Sequence, residues 1–252
     1  MKKTHYLAVD IKRLFKDYKI YFAIIGVMVS LLFSLEDQGI GDSGVIMTYI
    51  ISISMSGYMI AFVFCAFSYA TVFCEDLENK YIRYQIIRGE LKKYVISKVF
   101  VIYVASVFTM IMGTILFVLL CHVQIPWVSL RIDELDIAKT GCYAVFLEDK
   151  KYLFYCVICA THLGMLAGSL SVFAAFISLY ISNKMTVLIL PVVVNQILME
   201  VAGDGKFTVF AFKAYNKFFV QDWQNFLFAT ALSLIPVFLL TIGIFKKIKT
   251  RL

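Results

Sequence analysis

The sequence predicts an all-α membrane protein with six transmembrane helices, preceded by an amphipathic helix in the membrane interface. Of its 252 residues, 61% are hydrophobic and only 16% are charged, and the mean hydropathy is +0.84. A soluble domain carries about 25% charged residues, and a soluble core of this size could not hide so much apolar surface. The basic residues lie in short runs between long apolar stretches, as membrane topology requires. These observations exclude a disordered chain, a disulfide scaffold and a typical soluble enzyme, and they argue against a nucleic-acid partner.

Residues 1–19 are polar and basic and predict the interfacial helix. Their apolar side chains recur at helical spacing on one stripe, while charged side chains cover the other side; the stripe is Leu7, Ile11, Leu14, Phe15 and Tyr18. A plain charged N-terminus is the alternative interpretation.

The whole chain, 1–252, is predicted to form a single transmembrane domain. About 20 apolar residues are needed to cross the hydrocarbon core, and six stretches meet this need: 20–35, 45–73, 95–120, 152–181, 185–202 and 223–245. The first is slightly short, and the second and fourth are long enough to tilt. Between them lie a cytoplasmic segment, 74–94, an extracellular loop, 121–149, and an extracellular re-entrant or interfacial segment, 203–222.

The distribution of charge predicts the orientation. The segments on one side of the six stretches carry 17 basic and 6 acidic residues, a net charge of +11, and those on the other side carry 7 and 11, a net charge of −4. Because cytoplasmic loops are enriched in Lys and Arg, the positive side is predicted to be inside. We therefore expect a multi-pass protein of the cell membrane with both termini in the cytoplasm.

The segment 74–94 carries the most informative pattern. Apolar and aromatic residues recur there at three- and four-residue steps and predict a short amphipathic helix: Leu77, Tyr81, Tyr84, Ile87 and Leu91. Acidic residues lie at its start and Arg88 lies late, as the helix dipole favours. Such a helix could pass movement from a soluble partner into the membrane, or it could be a solvated connector that only sets topology.

Here the sequence resembles the permease subunits of ABC-2-type transporters. In that family an acidic stretch leaves the second span, a short helix and a basic turn follow, and a lysine enters the third span. The residues that look like those positions are Glu75, Arg83, Lys92, Lys93 and Lys98. The six-span layout, the amphipathic N-terminal helix and the inside termini are also similar.

The resemblance implies the permease subunit of an ATP-driven exporter. A separate subunit that binds ATP and Mg²⁺ would dock on the cytoplasmic face, and a second permease chain, identical or different, would complete the pathway within the lipid. The residues implied to couple to the ATPase are Glu75, Asp76, Tyr81, Arg83, Tyr84 and Arg88. An antimicrobial peptide or a drug, exported for self-immunity or efflux, would suit such a small permease.

This chain is not expected to be an enzyme or to hold a cofactor or metal. Residues 203–206 read Gly-Asp-Gly-Lys but lack the first glycine and the final Ser or Thr of a phosphate-binding loop. The three histidines lie on different segments, which argues against an intramembrane metalloprotease. The alternative function is a stand-alone multi-pass protein, such as a secondary transporter or an immunity protein without an ATPase partner.

Polar residues inside the predicted spans are candidates for a substrate pathway: His162, Asn195, Gln196 and Glu200. His162 could be a relay group or a neutral histidine bonded to a neighbouring helix, and the other three could line an exit path or bond to adjacent helices. Gly164 and Gly168 predict close helix packing, either within the subunit or between two subunits. The acidic loop 121–149 could cap a cationic substrate or be merely solvated, and its Cys121 and Cys142 could form a disulfide.

Overall fold

A computed structural model describes residues 6–35, 43–79, 81, 91–129, 138–181, 183–202, 209–213 and 216–250. Within these ranges every regular element is helical. The α-helices are α1 Tyr6–Lys16, α2 Lys19–Phe33, α3 Val45–Ser54, α4 Ile60–Tyr69, α5 Val72–Glu78, α6 Leu91–Gln124, α7 Ala144–Glu148, α8 Tyr152–Ile177, α9 Lys184–Ala202 and α10 Asp222–Thr250. Two short 3-10 helices cover Ser56–Met59 and Val209–Phe212.

Several of the helices have the length and apolar composition of membrane spans. Five helical stretches among the described residues are long and apolar enough to cross a bilayer: Ser56–Glu78, Leu91–Gln124, Tyr152–Ile177, Lys184–Val201 and Asp222–Thr250. The predicted first span is the 15-residue helix α2, which is only about 22 Å long against a hydrocarbon core of about 30 Å. A sixth crossing would therefore need α2 to be extended by the residues around it.

The stretch 45–73, predicted as one span, is divided. Helix α3 ends at Ser54, and Met55 is extended with φ −75° and ψ 156°. The hydroxyl of Ser54 bonds to a carbonyl of its own helix, and a serine and a glycine follow, so local helix propensity is low. The hydroxyl of Ser34 donates to the free carbonyl of Ser52 at 2.7 Å, as a helix break at membrane depth requires.

Helices α6 and α8 form the centre of the bundle. A Cβ added to Gly164 would lie 3.1 Å from Cα of Val107, and one added to Gly168 would lie 2.7 Å from the ring of Tyr103. Both glycines therefore allow α8 to approach α6 of the same chain. One apolar cluster fills the end of the bundle that contains α1 and α5, and a second fills the other end. Helices α9 and α10 lie at the periphery and are largely exposed.

The described parts of the loop 121–149 pack onto the bundle. Ala138, Cys142 and Leu147 are buried, and Tyr143 takes a left-handed conformation with φ 66°. All six cysteines are free thiols, so Cys121 and Cys142 are not joined. The thiol of Cys142 instead donates to the carbonyl of Asn216 at 3.7 Å, which connects this loop to the segment before α10.

Candidate functional site

Charged residues of α1, α5 and α6, together with the first residue of α2, meet at the end of the bundle predicted to be cytoplasmic. We call this set the ion cluster, and its members are Asp10, Arg13, Lys19, Glu75, Asp76 and Lys98. Helix α5 carries its acidic residues at the point where the predicted segment 74–94 begins, and α6 carries Lys98 about one turn after that segment ends. The ion cluster therefore lies at both ends of the segment predicted to contact a partner.

Lys98 lies at the centre of the ion cluster. Its ammonium group is 2.9 Å from Oδ1 of Asp10 and 3.3 Å from Oδ2 of Asp76. The three residues are only 2%, 5% and 3% exposed. A buried charge is costly unless it is paired and hydrogen-bonded, so these contacts are a condition for folding this region.

Hydroxyl groups complete the coordination of the two aspartates. Ser97 donates to Oδ2 of Asp10 at 2.7 Å, and Tyr69 donates to its Oδ1 at 3.3 Å. Tyr94 donates to Oδ2 of Asp76 at 2.7 Å. The ammonium also lies 5.5 and 5.7 Å from the centroids of the two tyrosine rings, within cation–π range. Each carboxylate thus has both a cation and at least one hydroxyl donor.

Arg13 connects the outer half of the ion cluster. Its guanidinium donates to Oε2 of Glu75 at 2.9 Å and to Oδ1 of Asp76 at 3.2 Å, and Lys19 contacts the other oxygen of Glu75. Burial opposes the charge on Arg13, but the carboxylate of Asp76 outweighs it and raises the pKa of Arg13 above its ordinary value. The three cations and three carboxylates of the ion cluster balance.

The ion cluster joins α1 to α5 and α6 by contacts that are hard to break separately. Removing one member of a buried pair leaves an uncompensated charge and typically costs about 3–5 kcal/mol. A displacement of the chain between α5 and α6 must therefore carry α1 and the start of α6 with it, or else separate buried charges. This arrangement suits the transmission of movement.

The predicted coupling residues fall into different environments. Glu75 and Asp76 belong to the ion cluster, and Asp76 contacts helices of its own chain rather than the surface. Tyr81 is 42% exposed and is available to a partner. Arg83, Tyr84 and Arg88 lie outside the described residues.

Sequence reasoning missed Asp10 because it followed the apolar stripe of α1. Most of that stripe faces outward: Leu7, Ile11 and Phe15 are 39–47% exposed, whereas Leu14 of the same stripe is buried. The face that packs on the protein is one residue further round and buries Asp10 and Leu14. The signal available in the sequence was an acidic residue, Asp10, one helical turn before Leu14, together with Lys98 at the start of an apolar span. The hydroxyl partners Tyr69, Tyr94 and Ser97 carried no such signal.

His162 is a buried, hydrogen-bonded histidine. It is 1% exposed, and its Nε2 forms a 2.7 Å hydrogen bond with the hydroxyl of Tyr143. The ring also packs edge-on against Phe226 of α10. Its partner comes from the loop predicted to be extracellular rather than from a neighbouring helix, so that loop reaches into the bundle. Among the described residues Nδ1 has no partner.

The other predicted pathway residues do not join His162. Asn195 is buried and donates to the sulfur of Met199 at 3.6 Å. Gln196 and Glu200 are exposed on a different face of α9 and bond to each other at 3.1 Å. Among the described residues, no hydrogen bond joins His162 or Asn195 to another of the four predicted pathway residues.

No protein-family model, no curated protein and no solved structure matches this chain. Within the described ranges no group of three or more His, Cys, Asp or Glu residues could hold a metal ion. Because the ion cluster gathers six charged residues beside the segment predicted to contact a partner, we take it as the candidate functional site.

Proposed function

We propose that the chain is the membrane-spanning permease subunit of an ATP-driven exporter of the ABC-2 type, with ATP and Mg²⁺ bound by a separate subunit. The observation that supports this proposal most is the ion cluster. It connects the N-terminal helix to the two helices that flank the segment 74–94, where we expect the partner to dock. A displacement of that segment would therefore also move the transmembrane helices.

In this mechanism the partner subunits close on ATP and push the segment 74–94. The ion cluster carries the push to α1 and α6 because its charges cannot be separated cheaply in a buried site. The permease then moves between inward- and outward-open states. The coupling free energy is the difference between the free energies with which the ATPase subunit binds these two states. A second permease chain completes the pathway, and a peptide or drug is the proposed cargo.

The test begins with purification of the chain from its native membrane, followed by identification of any ATP-hydrolysing chain that copurifies. Substituting Tyr81 with alanine removes an exposed aromatic group from the proposed docking face. We expect Tyr81→Ala to lower the ATPase activity of the complex severalfold while the permease stays folded.

The matched control is Phe154→Ala, which also removes an exposed aromatic side chain, in this case from the first turn of α8. It lies on the side predicted to face outward and should leave ATP hydrolysis unchanged. Absence of any copurifying ATPase would contradict the proposal and favour the stand-alone transporter or immunity protein. If both substitutions changed ATP hydrolysis equally, the proposal that the ATPase subunit docks on the face that contains Tyr81 would be contradicted.

A further inference from the structure

We propose that a groove between α6 and α10 binds one anionic phospholipid from the leaflet at the lysine-rich end of the bundle. This inference does not rest on the proposed exporter function. The groove has a volume of about 580 Å³, within the range of small-molecule sites, which is about 300–1,000 Å³.

The groove is built to hold an acyl chain. Val95 and Val99 of α6 are buried and form its floor. Its walls are large exposed side chains, Ile96 on one helix and Phe238 and Ile242 on the other, which are 60%, 67% and 40% exposed. Apart from Lys92, the lining offers one polar side chain, that of Thr241, and its hydroxyl already donates to a carbonyl of its own helix.

The length of the groove matches one leaflet. At one end Lys92 lines it. Beyond the other end Tyr103 and Ser233 close the gap between the two helices with a 2.9 Å hydrogen bond. Tyr103 lies 11 positions after Lys92 in α6, a distance of about 16 Å along the helix, and half of the hydrocarbon core is about 15 Å. A chain lying in the groove would therefore run from the headgroup layer to the bilayer centre.

Two lysines identify the headgroup as anionic. Lys92 belongs to the groove, and Lys249 continues the groove-facing stripe of α10 four residues after Phe245. Because α6 and α10 run in opposite directions, both lysines lie at the same end. Both are exposed, and within the described part of the chain neither has an ion pair. A basic site at the end of an apolar groove between spans is the pattern that binds a phosphate headgroup.

The test uses tryptophan fluorescence and lipids with brominated acyl chains, which quench it on contact. In a Trp127→Phe/Trp223→Phe background, Ile96→Trp places a reporter in the groove. Vesicles of phosphatidylcholine contain a fixed fraction of brominated lipid, either phosphatidylglycerol or phosphatidylcholine. We expect brominated phosphatidylglycerol to quench Ile96→Trp several times more strongly, with roughly fivefold enrichment for each lysine at low salt.

The matched control is Ile189→Trp on α9. Ile189 is 56% exposed and lies five residues after Lys184, whose charge is paired with Glu78 at 2.7 Å. Here the two brominated lipids should quench equally. In the Ile96→Trp protein, adding Lys92→Gln and Lys249→Gln should also make them equal.

Three results would overturn the proposal. Equal quenching of Ile96→Trp by both lipids would mean ordinary contact with bulk lipid. Quenching by neither would mean that a second copy of this chain, or another protein, covers the groove. A preference for phosphatidylglycerol that survives loss of both lysines would mean that the lysines do not select the lipid. If the tryptophan variants fail to fold, mass analysis of the retained lipid tests the same proposal. The native chain should retain phosphatidylglycerol and the double lysine variant should not, and equal retention by both would overturn the proposal.

Discussion

Replacing Lys98 with methionine tests whether the ion cluster holds the three helices together. Among the described residues, Lys98 is the only cation paired with Asp10, at 2.9 Å. The variant leaves that aspartate, which is 5% exposed, with hydroxyl donors alone. Loss of one partner from a buried pair costs about 3–5 kcal/mol, and for a chain of this size each kcal/mol lowers the melting temperature by about 2–4 °C. We therefore expect Lys98→Met to lower the melting temperature by roughly 6–20 °C.

A thiol-reactive fluorophore provides the assay, because all six cysteines are free and buried and become reactive when the protein unfolds. Lys184→Met is the control. It removes a lysine whose partner Glu78 is at 2.7 Å, with both side chains about half exposed. Exposed ion pairs contribute little, so its melting temperature should hardly change.

The double variant Asp10→Asn/Lys98→Met separates a lost charge pair from lost packing. Asparagine removes the orphaned carboxylate, so the double variant should regain at least half of the loss caused by Lys98→Met. The reasoning is refuted if Lys98→Met lowers the melting temperature no more than Lys184→Met does. It is also refuted if the loss in the double variant equals the sum of the losses caused by Asp10→Asn alone and Lys98→Met alone.

Further predictions concern the other end of the bundle and the helix contact at its centre. Tyr143→Phe removes the only described partner of His162 Nε2 and should cost about 1–3 kcal/mol; an unchanged melting temperature would show that the bond contributes nothing. Gly168→Leu would force a side chain into the ring of Tyr103, which lies 2.7 Å from an added Cβ. It should cost at least about 1–3 kcal/mol, and wild-type stability would exclude that close approach.

The long helices could be predicted from the sequence because hydropathy and length decide them. The stretches 95–120 and 223–245 correspond to α6, Leu91–Gln124, and α10, Asp222–Thr250. The break after Ser54 could not be predicted, because average hydropathy does not register how serine hydroxyls and Gly57 weaken a helix locally. Hydropathy alone therefore predicts one continuous span where the structure has separate helices.

The ion cluster was only partly predictable. Glu75, Asp76 and Lys98 stood out because charges are rare beside spans, but their mutual contacts and the role of Asp10 depend on how three helices pack. Residues that pair there lie 18–88 positions apart in the chain. Periodicity assigns a residue to a face of its own helix, and it does not say which helix that face meets. The same limit applies to His162 and Asn195, which the sequence assigns to one pathway and which have separate hydrogen-bond partners.

The side of the membrane that carries the ion cluster and Tyr81 decides whether an intracellular ATPase can reach the proposed docking face. Two exposed positions test it directly: Tyr81, which is 42% exposed, and Val220, which is 87% exposed and lies in the segment predicted to be outside. In intact cells a membrane-impermeant maleimide should label Val220→Cys at once and Tyr81→Cys only after permeabilisation. Labelling of Tyr81→Cys from outside would place the docking face beyond the reach of any cytoplasmic ATPase and contradict the proposed mechanism.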